Sequence, residues 1–559
     1  MKLKLQTLIE FLSSGKTPLL SPFNDNSSQI NFPPGAELKE QIVTQIDFDS
    51  RQVKSGSVFF CIKGEKNDGH NFIQKAIQSG AICIVADIQR KSELEKEISS
   101  IQGKDFLLVF SSNIRKAMAS ASDLFSGKPS CQTSLIGVTG TNGKTTTTHL
   151  IAQVLSQNIN HRIGLIGTLG SKIYEKGKMI EFLGEGSGRT TPEAPELQNQ
   201  ISEIVNRGCS HAAMEVSSHS LEQNRVYGCH FMQAVFTNLT QDHLDYHVTM
   251  ENYFQAKAIL FDFLSEQAEE DLEHPNEYSA IINLDSEWSL RLIEKLSPKV
   301  KLITFGINNV QASINATNVK SGLWGIEADI NSAWGSGTLK LPLHGLFNLY
   351  NALAALGVAR GNKIDFQDCL DSLAKCEAAP GRFQVVENPN SHSGHSALNS
   401  LEDHVSEPKS NDPLCIVDYA HTPDGLENVL KTAREIVPAG GKLLCVFGCG
   451  GDRDATKRPI MGRIATSLSD FTMITSDNPR SEEPNQIVSD ILSGIHSLGN
   501  VEVEIDRAAA IRRAIEKANS NDIVLIAGKG HETYQILGDT TIHFDDCEEV
   551  RKVLTNDFP

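Results

Sequence analysis

The 559-residue sequence lacks long apolar runs, paired cysteines and any excess of basic charge, and each absence removes a class of protein. A membrane-spanning helix needs about 20 consecutive apolar residues, and no stretch here offers them. At the amino terminus, "MKLKLQTLIEFLSSG" is interrupted by Glu10 and is too short for a secretory signal, so we expect an amphipathic helix of a cytoplasmic protein. The eleven cysteines stand mostly alone in apolar runs such as "SVFFCI" and "AICIVAD". Even the closest pair, Cys445 and Cys449, has the wrong spacing for a zinc ribbon, and no disulfide framework follows. A net charge of −18 spread over many segments speaks against nucleic acid or an anionic membrane surface as the main partner and leaves room for local basic pockets. No internal repeat is visible.

What the chain does have is the composition of a globular protein, long enough for about three or four units. Residues 1–127 read as a small α/β unit, with strands "SVFFCI", "AICIVAD" and "FLLVF" around the helical "NFIQKAIQSG". From 128 to 378 strands alternate with helices: "SLIGVTG", "HAAMEV", "AVFTNL", "AIINLD" and "KLITFG" imply a mostly parallel, doubly wound sheet. "EAAPGR" punctuates a boundary. A third α/β pattern over 379–559 carries "LCIVDYA", "KLLCVFG", "FTMITS" and "DIVLIAG". Within it the polar, Ser-rich stretch at about 387–412 is expected to be a surface insertion, its histidines solvated.

The strongest chemical signal is "GVTGTNGKTTTT" between a strand and a helix. Successive N–H groups in such a loop, backed by a helix amino end, cradle phosphate oxygens. Lys144 would neutralise the terminal phosphates and Thr145 would offer its hydroxyl to magnesium. The spacing departs from G-x-x-x-x-G-K-[ST], since Val138 replaces the first glycine. "MEVSSHSLEQNRV" puts Glu215, Ser217, Ser218 and His219 at a strand's carboxyl end, and "TNLTQDHLDYH" does the same with Asp242, His243, Asp245 and His247. Oxygen ligands with one imidazole suit magnesium. Lys257 stands in the otherwise apolar "MENYFQAKAILF", where an ammonium is costly unless it is paired or snorkels to the surface.

"TGTNGKTT" resembles the ATP loop of the Mur ligase and folylpolyglutamate synthase superfamily, whose members join an amine to a carboxylate through an acyl phosphate. The resemblance continues in order along nearly the whole chain. It implies a three-domain α/β architecture: a UDP-binding domain (1–127), a central P-loop-like ATPase domain (128–378) and a Rossmann-like amino-acid-binding domain (379–559). It assigns Gly140, Thr141, Asn142, Gly143, Lys144, Thr145 and Thr146 to ATP, together with Asn348 and Asn351 of "HGLFNLYNALAA", Arg382 of "APGRFQVV", and Asp418, Tyr419 and His421 of "VDYAHTPDGL". By the same carry-over, Lys144, Glu215, His243, Lys257 and Arg382 are the catalytic set. Magnesium falls to Thr145, Glu215, His243 and Lys257, the last as a carbamate (N6-carboxylysine).

Within the family the best match is to members acting on UDP-N-acetylmuramoyl-L-alanyl-D-glutamate. "DSRQVKSGSVFFCIKGEKNDGHNFI" resembles their uridine segment and implicates Ser50, Glu65, Lys66 and Asn67. Thr190, Thr191, Ser217, Gln223 and Arg225 match the contacts to the muramoyl peptide. Three polar loops, "FGCGGDRDATKRPIMG", "ITSDNPRSEEP" and "LIAGKGHETYQ", follow strands of the third domain, where convergence on a pocket is expected. The last is read as placing Glu532 at a helix start.

In members that accept meso-diaminopimelate the matching four residues are Asp-Asn-Pro-Arg, and the arginine holds the distal carboxylate. Arg453, Asp477, Asn478, Pro479, Arg480, Gly528 and Glu532 are therefore the expected amino-acid contacts. A site built on such bonds can reject the analogue lacking the carboxylate by roughly 10⁴ to 10⁵. The resemblance thus implies a monomeric ligase that uses ATP and magnesium to add meso-diaminopimelate. The alternatives are a lysine-adding or folylpolyglutamate-type ligase, a non-catalytic structural relative, and, without the resemblance, a generic P-loop switch.

Overall fold

The computed structural model describes residues 3–14, 30–31, 40–64, 67–98, 106–184, 188–272, 277–322, 324–386, 388–389 and 412–555. The polar stretch at about 387–412, apart from Asn388, Pro389 and Asp412, lies outside the described residues, as do Glu65 and Lys66 of the uridine segment. The chain forms two compact units: Met1–Thr317 with Asp329–Thr338 and Tyr350–Cys376, and Asn318–Ala328 with Leu339–Leu349 and Glu377–Pro559. No described helix is long and apolar enough to cross a membrane.

The first unit contains a five-stranded sheet in the order Ile30–Asn31, Leu107–Ser111, Cys83–Asp87, Ser57–Phe60, Gln45–Asp47. All neighbours are parallel except the short first strand. Side chains alternate across a strand, so Val58 and Phe60 join Leu5, Leu8 and Met118 in one core while Phe59 joins Ile73, Ile77 and Ile84 in another. Both faces are covered, which is why "SVFF" is an unbroken apolar run. The expected amino-terminal helix is Leu5–Ser14.

An eleven-stranded sheet follows, with Ser134–Thr139 between Cys209–Glu215 and Phe231–Phe236. Every described pair from Ile314–Gly322 across to Arg162–Gly167 is parallel, as the alternation of elements implied. One edge departs from that pattern: Gly170–Glu175 and Lys178–Gly184 are antiparallel additions that sequence reading did not foresee. After Ser134–Thr139 the chain passes through helix Lys144–Asn158 to one side of the sheet, and later returns to the other side as Phe231–Phe236. This reversal opens a crevice at the strands' carboxyl ends. The register puts Glu215 beside Val138 and Phe236 beside Thr139, so three loops emerge together.

The second unit has a six-stranded sheet in the order Gln384–Val386, Leu414–Asp418, Ile523–Ala527, Leu443–Phe447, Phe471–Ile474, Val501–Val503. It is parallel apart from the antiparallel Gln384–Val386. One expectation fails here. Glu532 does not begin a helix; it precedes a hairpin, Tyr534–Leu537 with Thr540–His543. Gly530 at φ +54° turns the chain, and a second left-handed glycine, Gly538 at φ +59°, closes the hairpin, so the backbone cannot take up helical dihedrals.

Candidate active site

Loop 140–143 is stitched to the segment after Phe231–Phe236. Thr141 N–H donates to the Asn238 carbonyl at 3.0 Å, Asn142 N–H to Asn238 Oδ1 at 2.9 Å, and Thr237 Oγ1 to the Asn142 carbonyl at 2.7 Å. Gly140 and Gly143 sit at φ +151° and +87°; a Cβ at Gly143 would lie 2.4 Å from Asn351 Oδ1. Helix Lys144–Asn158 starts at once, and its first N–H groups have no intrahelical acceptor. Lys144 arches back over the loop, its Nζ donating to the Gly140 and Thr141 carbonyls at 2.9 Å each. Thr146 and Asn351 are buried beneath, and Thr147 Oγ1 donates to Asn351 Oδ1 at 3.1 Å. The loop is therefore held rigid, and the N–H groups without an intrahelical acceptor are those of the helix's first turn.

Thr145 Oγ1 donates to Glu215 Oε2 at 2.9 Å, and the other Glu215 oxygen accepts the Thr168 N–H at 2.8 Å. A hydroxyl and a carboxylate side by side, next to a phosphate cradle, form a hard oxygen pair that fits magnesium, an ion that keeps several waters. Among the described residues no group of three His, Cys, Asp or Glu is spaced to hold a metal. His243, at φ +51°, belongs instead to an aromatic group, 4.9 Å from His219 and 6.1 Å from Tyr253 between ring centroids. His247 stacks on Tyr253 and bonds Ser218 Oγ at 2.9 Å. Lys172, missed in the sequence, is buried near Glu215; burial pushes its pKa down to about 8 against the pull of that carboxylate.

Lys257 is 2% exposed, so it does not snorkel. Its Nζ donates to the Gly140 carbonyl at 2.8 Å and lies 4.5 Å from the Tyr253 ring centroid. Burial, together with the nearby Lys144 ammonium, pushes its pKa well below the ordinary lysine value.

The residues assigned to the muramoyl peptide are brought together. Thr191 Oγ1 donates to the Glu215 carbonyl and lies 3.4 Å from Ser217 Oγ, and Thr190 Oγ1 is 3.2 Å from Thr168 Oγ1. Arg225 donates to the Thr191 carbonyl at 3.0 Å and to Gln223 Oε1 at 2.7 Å. Sequence reading missed the hub of this group: Glu193, which pairs with Arg225 at 3.2 Å, Arg115 at 3.4 Å and Arg189. Ser50 is buried and Asn67 exposed; neither has a hydrogen bond to the phosphate loop. Beside them His70 Nε2 accepts the Asp87 N–H, so its Nδ1–H donates to Asp68 at 2.6 Å.

In the second unit the Arg382 guanidinium covers the Tyr419 ring at 4.7 Å, and its buried Nε has no hydrogen-bond partner among the described residues. Asp418 accepts the Phe383 and Ala420 N–H groups at 2.6 and 2.7 Å, clamping the loop that carries Tyr419 and His421. Asn348 is buried and donates to the His344 carbonyl at 2.9 Å.

The three polar loops do converge. Arg480 Nη1 donates to the Gly451 carbonyl at 2.8 Å, and the Gly451 N–H donates to the Asn478 carbonyl at 2.9 Å. Asn478 Nδ2 donates to Glu532 Oε2 at 2.8 Å, and a Cβ on Gly528 would lie 2.9 Å from Asp477 Oδ2. Arg480 itself has φ +54°, a conformation disfavoured for a side chain with Cβ, held by its N–H to the Ile536 carbonyl and its carbonyl to the Gly538 N–H. Pro479 is buried before it, whereas Arg453 is exposed. Arg480 is thus aimed by the backbone of two other loops. Strained backbone maintained this way is typical of functional positions.

Three family models match in sequence order: Mur ligase family, catalytic domain, over residues 42–123; Mur ligase middle domain over 138–359; and Mur ligase, glutamate ligase domain, over 404–530. The chain is 41% identical over 514 residues to the UDP-N-acetylmuramoyl-L-alanyl-D-glutamate--2,6-diaminopimelate ligase of Clostridium botulinum, covering 92% of this chain and 95% of that one. To the protein of the same name from Trichormus variabilis it is 42% identical, with 94% and 96% covered. A solved structure bearing that ligase name superposes with a TM-score of 0.63 at 30% identity, covering 100% of this chain and 99% of the other. The MurF ligase of Thermotoga maritima, solved in complex with ADP, shares the fold at 17% identity, with a TM-score of 0.55 over 92% and 98% of the two chains.

Proposed function

Because this chain belongs to the Mur ligase family, we propose that it adds meso-2,6-diaminopimelate to the D-glutamyl γ-carboxylate of UDP-N-acetylmuramoyl-L-alanyl-D-glutamate, using ATP. It is an ATP-dependent carboxylate–amine ligase of peptidoglycan precursor synthesis. The observation that carries the choice of amino acid is Arg480, held by two other loops, with Asp477 and Asn478 on its own loop and Glu532 bonded to Asn478. A planar guanidinium suits the distal carboxylate that separates diaminopimelate from lysine, and the acidic residues suit the ammonium beside it.

In this reading the amino end of helix Lys144–Asn158 binds the ATP phosphates where they lie on loop 140–143, whose shape the Thr141 and Asn142 N–H bonds to Asn238 hold, with Lys144 released from its two carbonyls to meet their charge. Thr145 and Glu215 would hold magnesium, which when bound neutralises phosphate charge. The γ-carboxylate oxygen attacks the terminal phosphorus and ADP departs, leaving an acyl phosphate. The diaminopimelate amine then attacks the acyl carbon, loses a proton and expels phosphate. Positioning and charge stabilisation suffice, without a covalent enzyme intermediate. Arg382, Asp418, Tyr419, His421, Asn348 and Asn351 are proposed nucleotide residues. Thr190, Thr191, Ser217, Gln223, Arg225, Ser50 and Asn67 are proposed for the muramoyl substrate.

Carbamylation of Lys257 is part of the same proposal. Its lowered pKa raises the fraction of neutral amine able to take up carbon dioxide, and the product would place a carboxylate near the loop. His243 would reach a metal only by leaving its aromatic neighbours. The domain division at 127/128 and 378/379 is supported by one large sheet falling in each segment, the third also holding the two-stranded hairpin. We place the protein in the cytoplasm, where ATP is available, as a monomer.

The direct test incubates protein, ATP, magnesium and UDP-muramoyl dipeptide with either meso-diaminopimelate or L-lysine and follows phosphate release. Turnover with diaminopimelate is expected to exceed that with lysine by at least about 10²-fold. Equal rates would sink the selectivity, and no turnover with either would sink the ligase reading.

A further inference from the structure

The strand Ile523–Ala527 runs into Gly528-Lys529-Gly530, and the function above leaves Lys529 without a task. Its side chain is wholly buried. Nζ donates to Glu532 Oε2 at 3.0 Å and to Asn478 Oδ1 at 3.2 Å, and it lies 3.9 Å from Asp477 Oδ1 and 5.5 Å from the Tyr534 ring centroid. A buried ammonium is costly unless such partners surround it, so a lysine at this point is not interchangeable with an apolar residue of similar length.

Two consequences follow from these contacts. The first is geometric. Asn478 Oδ1 accepts both Lys529 Nζ and the Ile536 N–H at 3.0 Å, which turns its amide nitrogen toward Glu532 Oε2. The Asn478 carbonyl in turn accepts the N–H of Gly451, whose own carbonyl takes Arg480 Nη1. Lys529 therefore touches Glu532 directly and reaches Arg480 through Asn478. The second consequence is electrostatic. Asp477 and Glu532 bring two negative charges to this cluster and Lys529 cancels one. What remains suits an ammonium on one side and, at Arg480, a carboxylate on the other.

We propose that Lys529 is a positioning residue for amino-acid specificity: it holds Glu532 and Asn478 in place and removes one negative charge, so the pocket prefers a zwitterionic distal end over a lone ammonium. This rests on the functional reading above and extends it to a residue that contacts no substrate. Loss of the charge leaves both carboxylates uncompensated, which favours the more cationic amino acid.

The test compares wild type, Lys529→Met and Lys529→Arg in steady-state assays that vary meso-diaminopimelate, L-lysine, ATP and UDP-muramoyl dipeptide separately. In Lys529→Met, KM for diaminopimelate should rise roughly tenfold or more, and the ratio of kcat/KM for diaminopimelate to that for lysine should fall by a similar factor. KM for ATP and for the dipeptide should stay within about twofold, and Lys529→Arg should recover part of the ratio. An unchanged ratio, or equal losses toward all substrates, would overturn the proposal. If Lys529→Met does not fold, Lys529→Gln, which keeps a donor and drops only the charge, is read in the same way. Wild-type turnover of diaminopimelate with unaltered selectivity in the variants overturns this proposal alone; no wild-type turnover overturns the functional reading and this one together.

Discussion

A lysine such as Lys257 shows how little one residue's neighbours in sequence say about its state. The run "QAKAIL" allowed either a snorkelling stem or a buried amine; the carbonyl of Gly140, far away along the chain, decides for burial, with the ring of Tyr253 one helical turn away beside it. Its pKa is lower in the fold than in the unfolded chain. Between those two values the unfolded chain carries one more proton, so stability rises with pH through that window and levels off above the unfolded pKa of about 10.4. Lys257→Met should remove that rise. Urea unfolding at several alkaline pH values in carbon-dioxide-free buffer checks it, and parallel curves for variant and wild type would argue against a depressed amine. The same variant should lose activity by about 10²-fold or more if the amine's carbamate serves catalysis.

Elements were more legible than residues. Apolar runs and polar loops located most of the parallel strands, because fully covered strands must be apolar throughout, and several of the helices. The hairpin after Gly530 was not legible, since "ETYQIL" is too short to reveal its period and the left-handed glycines on either side decide the fold. Nor was the anchor that holds two strand ends in register. Arg507, fully buried, pairs with Asp546 through two bonds of 2.7 Å and donates to the Ala527 carbonyl at 3.1 Å, with the Ser476 carbonyl at 3.5 Å. It thus ties the ends of Phe471–Ile474 and Ile523–Ala527, from which the DNPR and GKGHE loops depart. Arg507→Met should destabilise the protein by about 3–5 kcal/mol, because it strands Asp546 in the interior. Adding Asp546→Leu should restore most of that loss in denaturant unfolding, while substrate selectivity stays altered if the anchor also aims the loops.

At the scale of the whole molecule, the cysteines behave as apolar packing. Ten of the eleven are buried, Cys131 being the exposed one, and burial pushes thiols such as Cys415, Cys445 and Cys449 up to about 12. Native labelling with a thiol reagent near neutral pH should therefore modify one cysteine per chain, slowly, since Cys131 is itself raised to about 11. Unfolding should raise the count to eleven by mass spectrometry, and several labels on the native protein would contradict the packing described.

By itself the sequence determined the class of fold, the phosphate loop and the family, because strand patterning and glycine-rich loops are local properties that neighbouring residues impose on one another. Through the family resemblance it also pointed to Arg480 as the proposed reader of a carboxylate. Only the tertiary structure decided that Arg480 is held in a left-handed conformation by other loops, that Glu193 gathers three arginines, and that Lys529 stands between Asn478 and Glu532. These are meetings of residues tens of positions apart or bonds across a turn whose geometry no local pattern signals. Charge in a low-dielectric interior acts through such distances in space, and distance in space is what the linear chain does not record.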